Sequence, residues 1–324
     1  MNNKKLFLIE RITVGWWLFT TALVVVLWHW LADPVDMICT HALIAVMVGA
    51  AWIVGARLMD VTGRWDVQAR WIGKLLRIGT PLGMLALWYG ETYSFCSLLP
   101  YKDHIFASAD QWLFGFQPSI VFSEALKDGW LGLPEAVFSE AFNCGYWSYF
   151  AMQLVLVLYY YTRHREETDR MAATILASFF CFYLIFFMLP VAGPQYYFQA
   201  IGLEQARAGI FPDLGNYFAT HTDMLPAPGW EDGLFRHLVK NAQDTGEFPT
   251  GAFPSSHIGC TVVFLCLAWR RSRRLFLFLL PFATMLACAT VYIHAHYFVD
   301  TVAGLVCGLI IYQLLTRSKL LAER

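Results

Sequence analysis

Apolar residues along this chain are grouped into eight stretches that are separated by polar segments. Most of them approach the ~20 residues that a helix needs to cross the hydrocarbon core of a membrane. We therefore predict an all-α integral membrane protein with about eight transmembrane helices. The predicted spans are Ile12–Leu31, Met37–Gly55, Ile78–Leu99, Val137–Tyr161, Met171–Leu189, Pro254–Trp269, Leu275–His294 and Tyr297–Thr316.

The composition supports this class of protein. Of the 324 residues, 58% are hydrophobic and 15% are charged, whereas a soluble domain has roughly 45–50% apolar and about 25% charged residues. The formal net charge of −1 says nothing about partners. For an integral membrane protein we expect the lipid bilayer, and no nucleic acid, as the partner. The eight cysteines lie mostly in apolar stretches, so we interpret them as packing residues.

The basic residues are distributed unevenly between the two sides of these spans. With eight spans and an inside N-terminus, all but five of the 23 basic residues lie on the inner side, which the positive-inside rule assigns to the cytoplasm. We therefore predict that both termini are cytoplasmic. No eukaryotic sorting signal appears, which favours a bacterial inner membrane. The five outer residues are Lys102, Lys127, Arg207, Arg236 and Lys240.

Two polar segments on the outer side are long. Residues 100–136 include an amphipathic stretch suited to the membrane interface, and residues 190–253 are rich in Gly, Pro and Asp. A connection as long as the second is usually a functional lid or a binding loop. The motifs described below all follow the first two spans. We therefore divide the chain into a two-span appendage at residues 1–75 and a six-span core at residues 76–324.

Two glycines in the eighth span predict a close helix contact. Gly304 and Gly308 are four residues apart, which places two small residues on one helical face. Such small-xxx-small spacing allows two helix backbones to approach closely.

Ionisable residues stand at the outer ends of the sixth and eighth spans. His257 begins one span, and His296 and Asp300 begin the other. Ionisable residues in membrane segments are functional candidates by default. The sixth and seventh spans are antiparallel and joined by a tight turn, which keeps their far ends close, so we expect these three residues to share one site. Asp300 lies one helical turn after His296, where it can accept the Nδ1–H and leave Nε2 as a nucleophile. His257 would then exchange protons with the leaving and attacking hydroxyl groups.

The sequence PSSH at residues 254–257 predicts an anion site beside these histidines. Pro254 suits the first turn of a helix, so the N–H groups of Ser255, Ser256 and His257 would point outward at the positive end of the helix dipole. The Ser255 hydroxyl would be a further donor. An anion cradle, a nucleophilic histidine and an acid–base histidine together predict phosphoryl transfer with no metal and no other cofactor.

PSSH followed by HYFVD resembles the type-2 phosphatidic acid phosphatase superfamily, whose pattern is P-S-G-H and then S-R-x5-H-x3-D, preceded by K-x6-R-P. The resemblance covers the last six spans and implies a six-helix core. It also implies that His296 forms a phosphohistidine with help from Asp300, that His257 protonates the leaving group and that Ser255 is the motif serine. Three stretches resemble the fungal-type inositol phosphorylceramide synthases in particular: ATVYIHAHYFVD, FGFQPS and LPVAGPQYY.

Two departures from the family pattern remove positive charge. The chain has no Arg-Pro dipeptide, and Thr290 stands where the third motif has its arginine. The sphingolipid head-group transferases share this loss, which favours that branch over the phosphatases. The candidates for a replacement cation, with the preferred one first, are Lys240, Arg236, Arg207 and a protonated His294.

These observations predict a lipid phosphotransferase that moves an inositol-phosphate-like head group from a phospholipid to a lipid alcohol such as ceramide, on the periplasmic or lumenal face. The alternative is a lipid phosphate phosphatase that uses the same residues on phosphatidic acid or a polyprenyl phosphate. A transporter or scramblase that uses Glu91 and Glu140 is a third hypothesis. A fourth is a metal site built from Asp300 and the three histidines at 257, 294 and 296. No obligate protein partner is evident.

Overall fold

The computed structural model describes residues 5–318, apart from the side chain at position 245, and this part of the chain is all-helical. Three of the basic residues counted above, at positions 4, 319 and 324, lie outside the described residues. A short 3-10 helix forms at Tyr217–Ala219. The helices are α1 Leu8–Val26, α2 Pro34–Met59, α3 Asp66–Gly83, α4 Leu85–Cys96, α5 Asp103–Phe114, α6 Pro118–Ala125, α7 Glu135–Arg163, α8 Thr168–Met188, α9 Pro194–Ile201, α10 Leu203–Arg207, α11 Leu234–Gly246, α12 Ser256–Arg271, α13 Arg273–Tyr292 and α14 Phe298–Arg317.

Six of the described helices are long and apolar enough to cross a membrane, namely α1, α2, α7, α8, α13 and α14. They correspond to six of the eight predicted spans. The predicted third span, Ile78–Leu99, is instead divided between α3 and α4, which meet at Met84. Pro81 weakens the helix just before this point, because proline has no N–H to donate and its ring crowds the carbonyl group one turn earlier.

The predicted sixth span is also shorter than a full crossing. It forms α12, which begins two residues after Pro254 and has 16 residues. At 1.5 Å per residue it is about 24 Å long, against roughly 30 Å of hydrocarbon. The count of eight spans is therefore not confirmed, and the third and sixth spans stay predictions.

Helix α8 lies at the centre of the bundle. It contacts α1, α4, α7, α12 and α14. Its aromatic side chains fill the spaces between these helices: Phe180 stacks on Trp16 of α1 with ring centroids 4.3 Å apart, and Phe182 lies against the backbone of Gly259 in α12. The helix that carries His257 in its first turn is thus packed against the most buried part of the structure.

Buried polar contacts attach the first helices to this bundle. Arg77 of α3 donates from Nε and Nη2 to the two carboxylate oxygens of Glu10 in α1, at 2.7 and 2.6 Å. His41 of α2 lies 3.0 Å from Glu91 of α4, and both side chains are buried. Glu91 therefore joins two helices, which is a common structural role of a polar residue inside a membrane protein.

The two glycines of α14 bring its backbone against that of α12. A Cβ atom at Gly304 would lie 2.4 Å from the carbonyl oxygen of Ser255, and one at Gly308 would lie 2.4 Å from that of Gly259. Only glycine leaves room for this approach. The close contact predicted from the glycine spacing is therefore confirmed, and α12 is the partner helix.

Gly308→Ala should destabilise the protein by about 1–3 kcal/mol, because the new methyl group would force α12 and α14 apart. Gly49→Ala in α2 is the matched control, since a Cβ there meets nothing within 4 Å. It should be neutral or stabilising by up to about 1 kcal/mol. Thermal unfolding of the purified proteins in detergent compares the two, and equal midpoints would contradict the contact.

Candidate active site

Backbone hydrogen bonds join the long loop before α12 to the turn between α13 and α14. Ala252 donates its N–H to the carbonyl oxygen of Val191 at 3.0 Å, and Gln195 donates to that of His294 at 2.8 Å. Three segments that are far apart in the sequence thus meet where α12 and α14 begin.

Two glycines permit this junction. Gly193 has φ 100°, and a Cβ there would lie 2.7 Å from the carbonyl oxygen of Ala295. Gly251 has φ 73° and lies against the ring of Phe186. Glycine adopts positive φ without steric penalty, so both positions favour it over other residues.

His257 and His296 are in direct contact at the junction. Nε2 of His296 lies 3.4 Å from Nδ1 of His257, and the ring centroids are 5.7 Å apart. His296 is only 3% exposed. The rings of Tyr146 and Tyr149 in α7 flank His257, each with its centroid 4.9 Å away. The two histidines that the sequence pattern assigned to one site are therefore neighbours.

The hydrogen bond of His296 to the backbone determines which of its nitrogen atoms is free. Nδ1 lies 2.8 Å from the carbonyl oxygen of Ala252. A carbonyl oxygen can only accept, so Nδ1 carries the proton and Nε2 has a lone pair. The proton in the contact with His257 then belongs to Nδ1 of His257. A nucleophilic nitrogen and a proton donor therefore face the same space.

Asp300 is placed differently from the sequence expectation. Its Oδ2 lies 3.9 Å from Nδ1 of His296, which is too long for a hydrogen bond, and accepts the N–H of Tyr297 at 2.9 Å instead. The carbonyl group of Ala252 takes the role of orienting acceptor that was expected of Asp300. The carboxyl group of Asp300 thus caps the first turn of α14.

Ser255 and Ser256 begin α12, but they offer fewer free N–H groups than expected. Ser255 is the N-cap, and its hydroxyl accepts the N–H of Ile258 at 3.4 Å. The N–H of Ser255 donates to the carbonyl oxygen of Asp300 at 3.1 Å. The expected anion cradle is thus reduced to the N–H groups of Ser256 and His257, which have no acceptor within the helix.

A carboxylate that the sequence pattern did not single out holds the junction from α5. Asp103 accepts the N–H groups of Ala192 and Gly193 at 2.9 and 2.8 Å. It also accepts the hydroxyl of Tyr297, next to His296, at 3.1 Å. One buried side chain therefore fixes the loop after α8 and the turn that carries His296.

A second carboxylate of α5 holds the start of α14. Asp110 accepts the N–H groups of Phe298 and Val299 at 2.8 and 3.0 Å. Burial raises the pKa of Asp103 and of Asp110 to about 6, against the effect of these hydrogen bonds. The two residues are seven apart, which places them on one face of α5. The seven-residue spacing of these two aspartates within residues 100–136 was visible in the sequence and could have identified them.

Residues 111–314 match the model of the PAP2 superfamily. The chain belongs to the PAP2 superfamily. The matched range is more than half of the chain and includes His257, His296 and Asp300. Membership indicates phosphatase- or phosphotransferase-type chemistry on lipid phosphates. No curated protein and no solved structure is significantly similar to the chain.

The structure separates the four candidate cations of this PAP2 protein. Lys240 is on the exposed face of α11, and Arg207 pairs with Glu124 at the surface. His294 is buried in the turn before His296, where its φ is 63°, and no described hydrogen bond joins its side chain to the histidine pair. Arg236, also on α11, is 8% exposed. The preferred candidate is therefore solvated, and the second is buried.

The hypothesis of a metal site has no support from the arrangement of ligands. Over residues 5–318, no group of three or more His, Cys, Asp or Glu side chains is close enough to hold a metal ion. His257, His296 and Asp300 adjoin one another, but they do not converge on a common point.

A polar cluster within residues 190–253 was not singled out by the sequence pattern. Glu247 follows α11, and its Oε1 accepts the Nε2–H of Gln195 at 2.7 Å. Burial raises the pKa of Glu247, which also interacts electrostatically with Tyr146, the residue that flanks His257. The buried hydroxyl of Tyr196 has no hydrogen-bond partner among the described residues. Nothing in the sequence distinguishes Glu247 from the other acidic residues of this loop.

Acidification should destabilise the protein through His296. Burial lowers the pKa of His296 from the usual 6.5 to about 3, so the unfolded chain takes up a proton between these values and the folded protein does not. Stability is therefore lost as pH falls below 6.5. His296→Asn keeps an N–H donor toward Ala252 and removes the titrating group.

The measurement is the free energy of unfolding of both proteins between pH 7 and pH 4. The wild type should lose up to about 1.4 kcal/mol per pH unit relative to His296→Asn. Because both proteins share every other titrating group, parallel curves would show that His296 is not buried in a neutral form.

Proposed function

We propose that this protein is a lipid phosphotransferase that moves a phospho-head-group from a phospholipid donor to a lipid alcohol through a covalent intermediate on His296. The observation that carries the proposal is the contact between the two histidines, where a lone pair and a proton donor face one space. Membership of the PAP2 superfamily supports phosphoryl chemistry at this position.

In the first half-reaction, Nε2 of His296 attacks the phosphorus atom of the donor. An N–P bond forms while the P–O bond to the diacylglycerol oxygen breaks, and this oxygen takes a proton from His257. His257 must be cationic for this step, and the negative charge of the bound phosphate favours that form. The rings touch in the structure, so we expect them to separate when a phosphoryl group enters between them.

In the second half-reaction, a lipid alcohol such as ceramide takes the place of the diacylglycerol. Its hydroxyl gives its proton to the neutral His257 as its oxygen attacks the phosphorus atom. The N–P bond then breaks, and His296 recovers its lone pair. Each cycle returns both histidines to their starting state, so these residues balance the atoms and protons of the reaction.

The burial of His296 supports transfer over hydrolysis. Its side chain is almost wholly covered, and two tyrosine rings lie over its partner histidine. Excluding water from a site suppresses hydrolysis of a reactive intermediate. A lipid phosphate phosphatase remains the alternative function, because water would need only to replace the lipid alcohol as the acceptor.

The cluster at Glu247 supports a polyhydroxylated head group such as inositol phosphate. Its carboxylate accepts hydrogen bonds from hydroxyl groups, and the phenol of Tyr196 has unused hydrogen-bonding capacity. A site built to bind hydroxyl groups discriminates strongly against substrates that lack them. The resemblance to inositol phosphorylceramide synthases points to the same class of head group.

The distribution of basic residues supports a site on the outer face. All three catalytic candidates lie at the end of the bundle away from the basic segment RRSRR at 270–274, which the positive-inside rule assigns to the cytoplasm. We propose that both lipid substrates reach the site within the outer leaflet, where the hydroxyl and phosphate groups lie at the depth of the helix ends.

The test is a reconstituted assay with labelled phosphatidylinositol, labelled phosphatidic acid and ceramide. A new labelled sphingolipid indicates transfer, whereas released inorganic phosphate indicates a phosphatase. Failure to form either product would contradict both functions. A chelator should leave the activity unchanged if the two histidines act without a metal.

His296→Ala should lower the rate by about 10⁴-fold or more, because no neighbouring group replaces a covalent nucleophile. Mass spectrometry of quenched wild-type protein should find the phosphorus adduct on the peptide that contains His296. His221→Ala, which removes an exposed histidine of the same loop region, is the control and should keep full activity. A folded His296→Ala protein with wild-type turnover would rule out the covalent mechanism.

Glu247→Gln should raise the KM for an inositol-containing donor by about ten-fold or more, since an acceptor for the head-group hydroxyls becomes a weaker one. Formation of the His296 adduct from a donor without hydroxyl groups should change little. Asp244→Asn removes an exposed carboxylate three residues earlier and is the matched control. Equal effects of Glu247→Gln on both donors would argue against head-group recognition by this residue.

A further inference from the structure

The buried guanidinium of Arg236 lacks hydrogen-bond partners among the described residues for two of its three nitrogen atoms. Nη2 donates to the carbonyl oxygen of Ala227 at 2.8 Å. Nε and Nη1 are also buried, and neither has a hydrogen-bond partner within the described part of the chain. Unpaired donors of a charged group are among the most unfavourable groups to bury. Two such donors on one side chain indicate that a ligand completes the arrangement.

The local structure holds this guanidinium in place before any ligand arrives. Glu140 of α7 accepts the backbone N–H groups of Phe235 and Arg236, both at 3.0 Å. This fixes the first turn of α11 against α7. The side chain of Arg236 interacts electrostatically with Glu231, Tyr292 and Asp244, and none of them forms a described hydrogen bond with it.

Arg236 borders the histidine site. Ala227, whose carbonyl group binds the guanidinium, packs in one cluster with Tyr292, Ala295 and Tyr146. Ala295 directly precedes His296, and Tyr146 contacts His257. The guanidinium is therefore bound to the cluster that also contains the residue before His296 and a ring that contacts His257.

The free N–H donors of Arg236 and the lack of other buried basic residues on the outer side indicate that the ligand is negatively charged. Two free N–H donors on a permanently cationic group select an anion, and a guanidinium suits the planar arrays of oxygen atoms found in phosphate and carboxylate groups. Of the five basic residues assigned to the outer side, Arg236 is the only buried one. This chain also lacks the arginines of the family motifs, so its site needs positive charge from elsewhere.

We propose that Arg236 binds the phosphate group of the lipid substrate and replaces the positive charge of the missing motif arginines. The identity of the ligand as a lipid phosphate rests on the proposed function. Binding of a phosphate anion by Arg236 does not, because it can be measured without turnover.

The experiment compares the wild type with Arg236→Gln and Lys240→Gln, using inorganic phosphate as the probe. Both substitutions remove one positive charge from α11, one on its buried face and one on its exposed face. The dissociation constant comes from the rise of the unfolding midpoint with phosphate at constant ionic strength. Arg236→Gln should weaken phosphate binding by about ten-fold or more, and Lys240→Gln by less than about two-fold. The reverse order, or a wild type that phosphate does not stabilise, would overturn the proposal.

Two further variants separate ligand binding from a structural role. Arg236→Met keeps an apolar stem for packing, and Arg236→Lys keeps the charge. Arg236→Met should lose phosphate binding and Arg236→Lys should retain part of it. If Arg236 only holds the carbonyl group of Ala227, its variants will unfold at lower temperature with unchanged affinity for phosphate. That result would refute ligand binding even if Arg236→Gln proves too unstable to purify.

A competition experiment identifies the source of the phosphate. Phosphatidylinositol or phosphatidic acid in micelles should displace phosphate from the wild type, and diacylglycerol, which has no phosphate, should not. Displacement by neither phospholipid would restrict the site to free phosphate and overturn the proposed lipid ligand. Arg236-dependent phosphate binding in a protein with no transferase or phosphatase activity would leave this inference standing while the proposed function failed.

Discussion

The backbone contact between α12 and α14 is the constraint on which the catalytic arrangement depends. Gly304 and Gly308 let the two helices approach until Cβ atoms would collide with the carbonyl oxygens of Ser255 and Gly259. His257 lies at the start of one helix and His296 just before the other. Because helices are stiff and pack in discrete arrangements, a small outward shift of α12 would separate the two imidazoles. A packing motif thus sets the distance between the two imidazoles.

Buried carboxylates act as clamps around this contact rather than as reacting groups. Asp103 of α5 accepts backbone N–H groups of the loop after α8, and Asp110 accepts those at the start of α14. Glu140 does the same for the start of α11. Hydrogen bonds to carboxylates are about twice as strong as neutral ones and gain from a low dielectric. The short helix α5, outside the spans, therefore fixes the turn that carries His296. In the proposed mechanism, the two histidines carry out the chemistry.

Positive charge is scarce around His257 and His296. Few groups there can therefore stabilise the negative charge of a phosphate. His296 is neutral because burial lowers its pKa, which preserves a lone pair for attack. The remaining sources of positive charge for a phosphate are the first N–H groups of α12 and the guanidinium of Arg236. The covered position of His296 supports the proposed transfer between two lipids, because exclusion of water suppresses hydrolysis of a reactive intermediate.

The sequence alone determined the all-helical membrane character and the superfamily, and it predicted a site at His257, His296 and Asp300, because hydropathy, motif spacing and glycine spacing are local properties. Tertiary structure decided which acceptor orients His296: the carbonyl group of Ala252 reaches Nδ1, while Asp300 caps α14. It also decided that Arg236 is buried and Lys240 is exposed, although both lie on one loop helix. Such choices depend on the angle at which distant segments meet. No local pattern encodes that angle, since it results from the packing of the whole bundle.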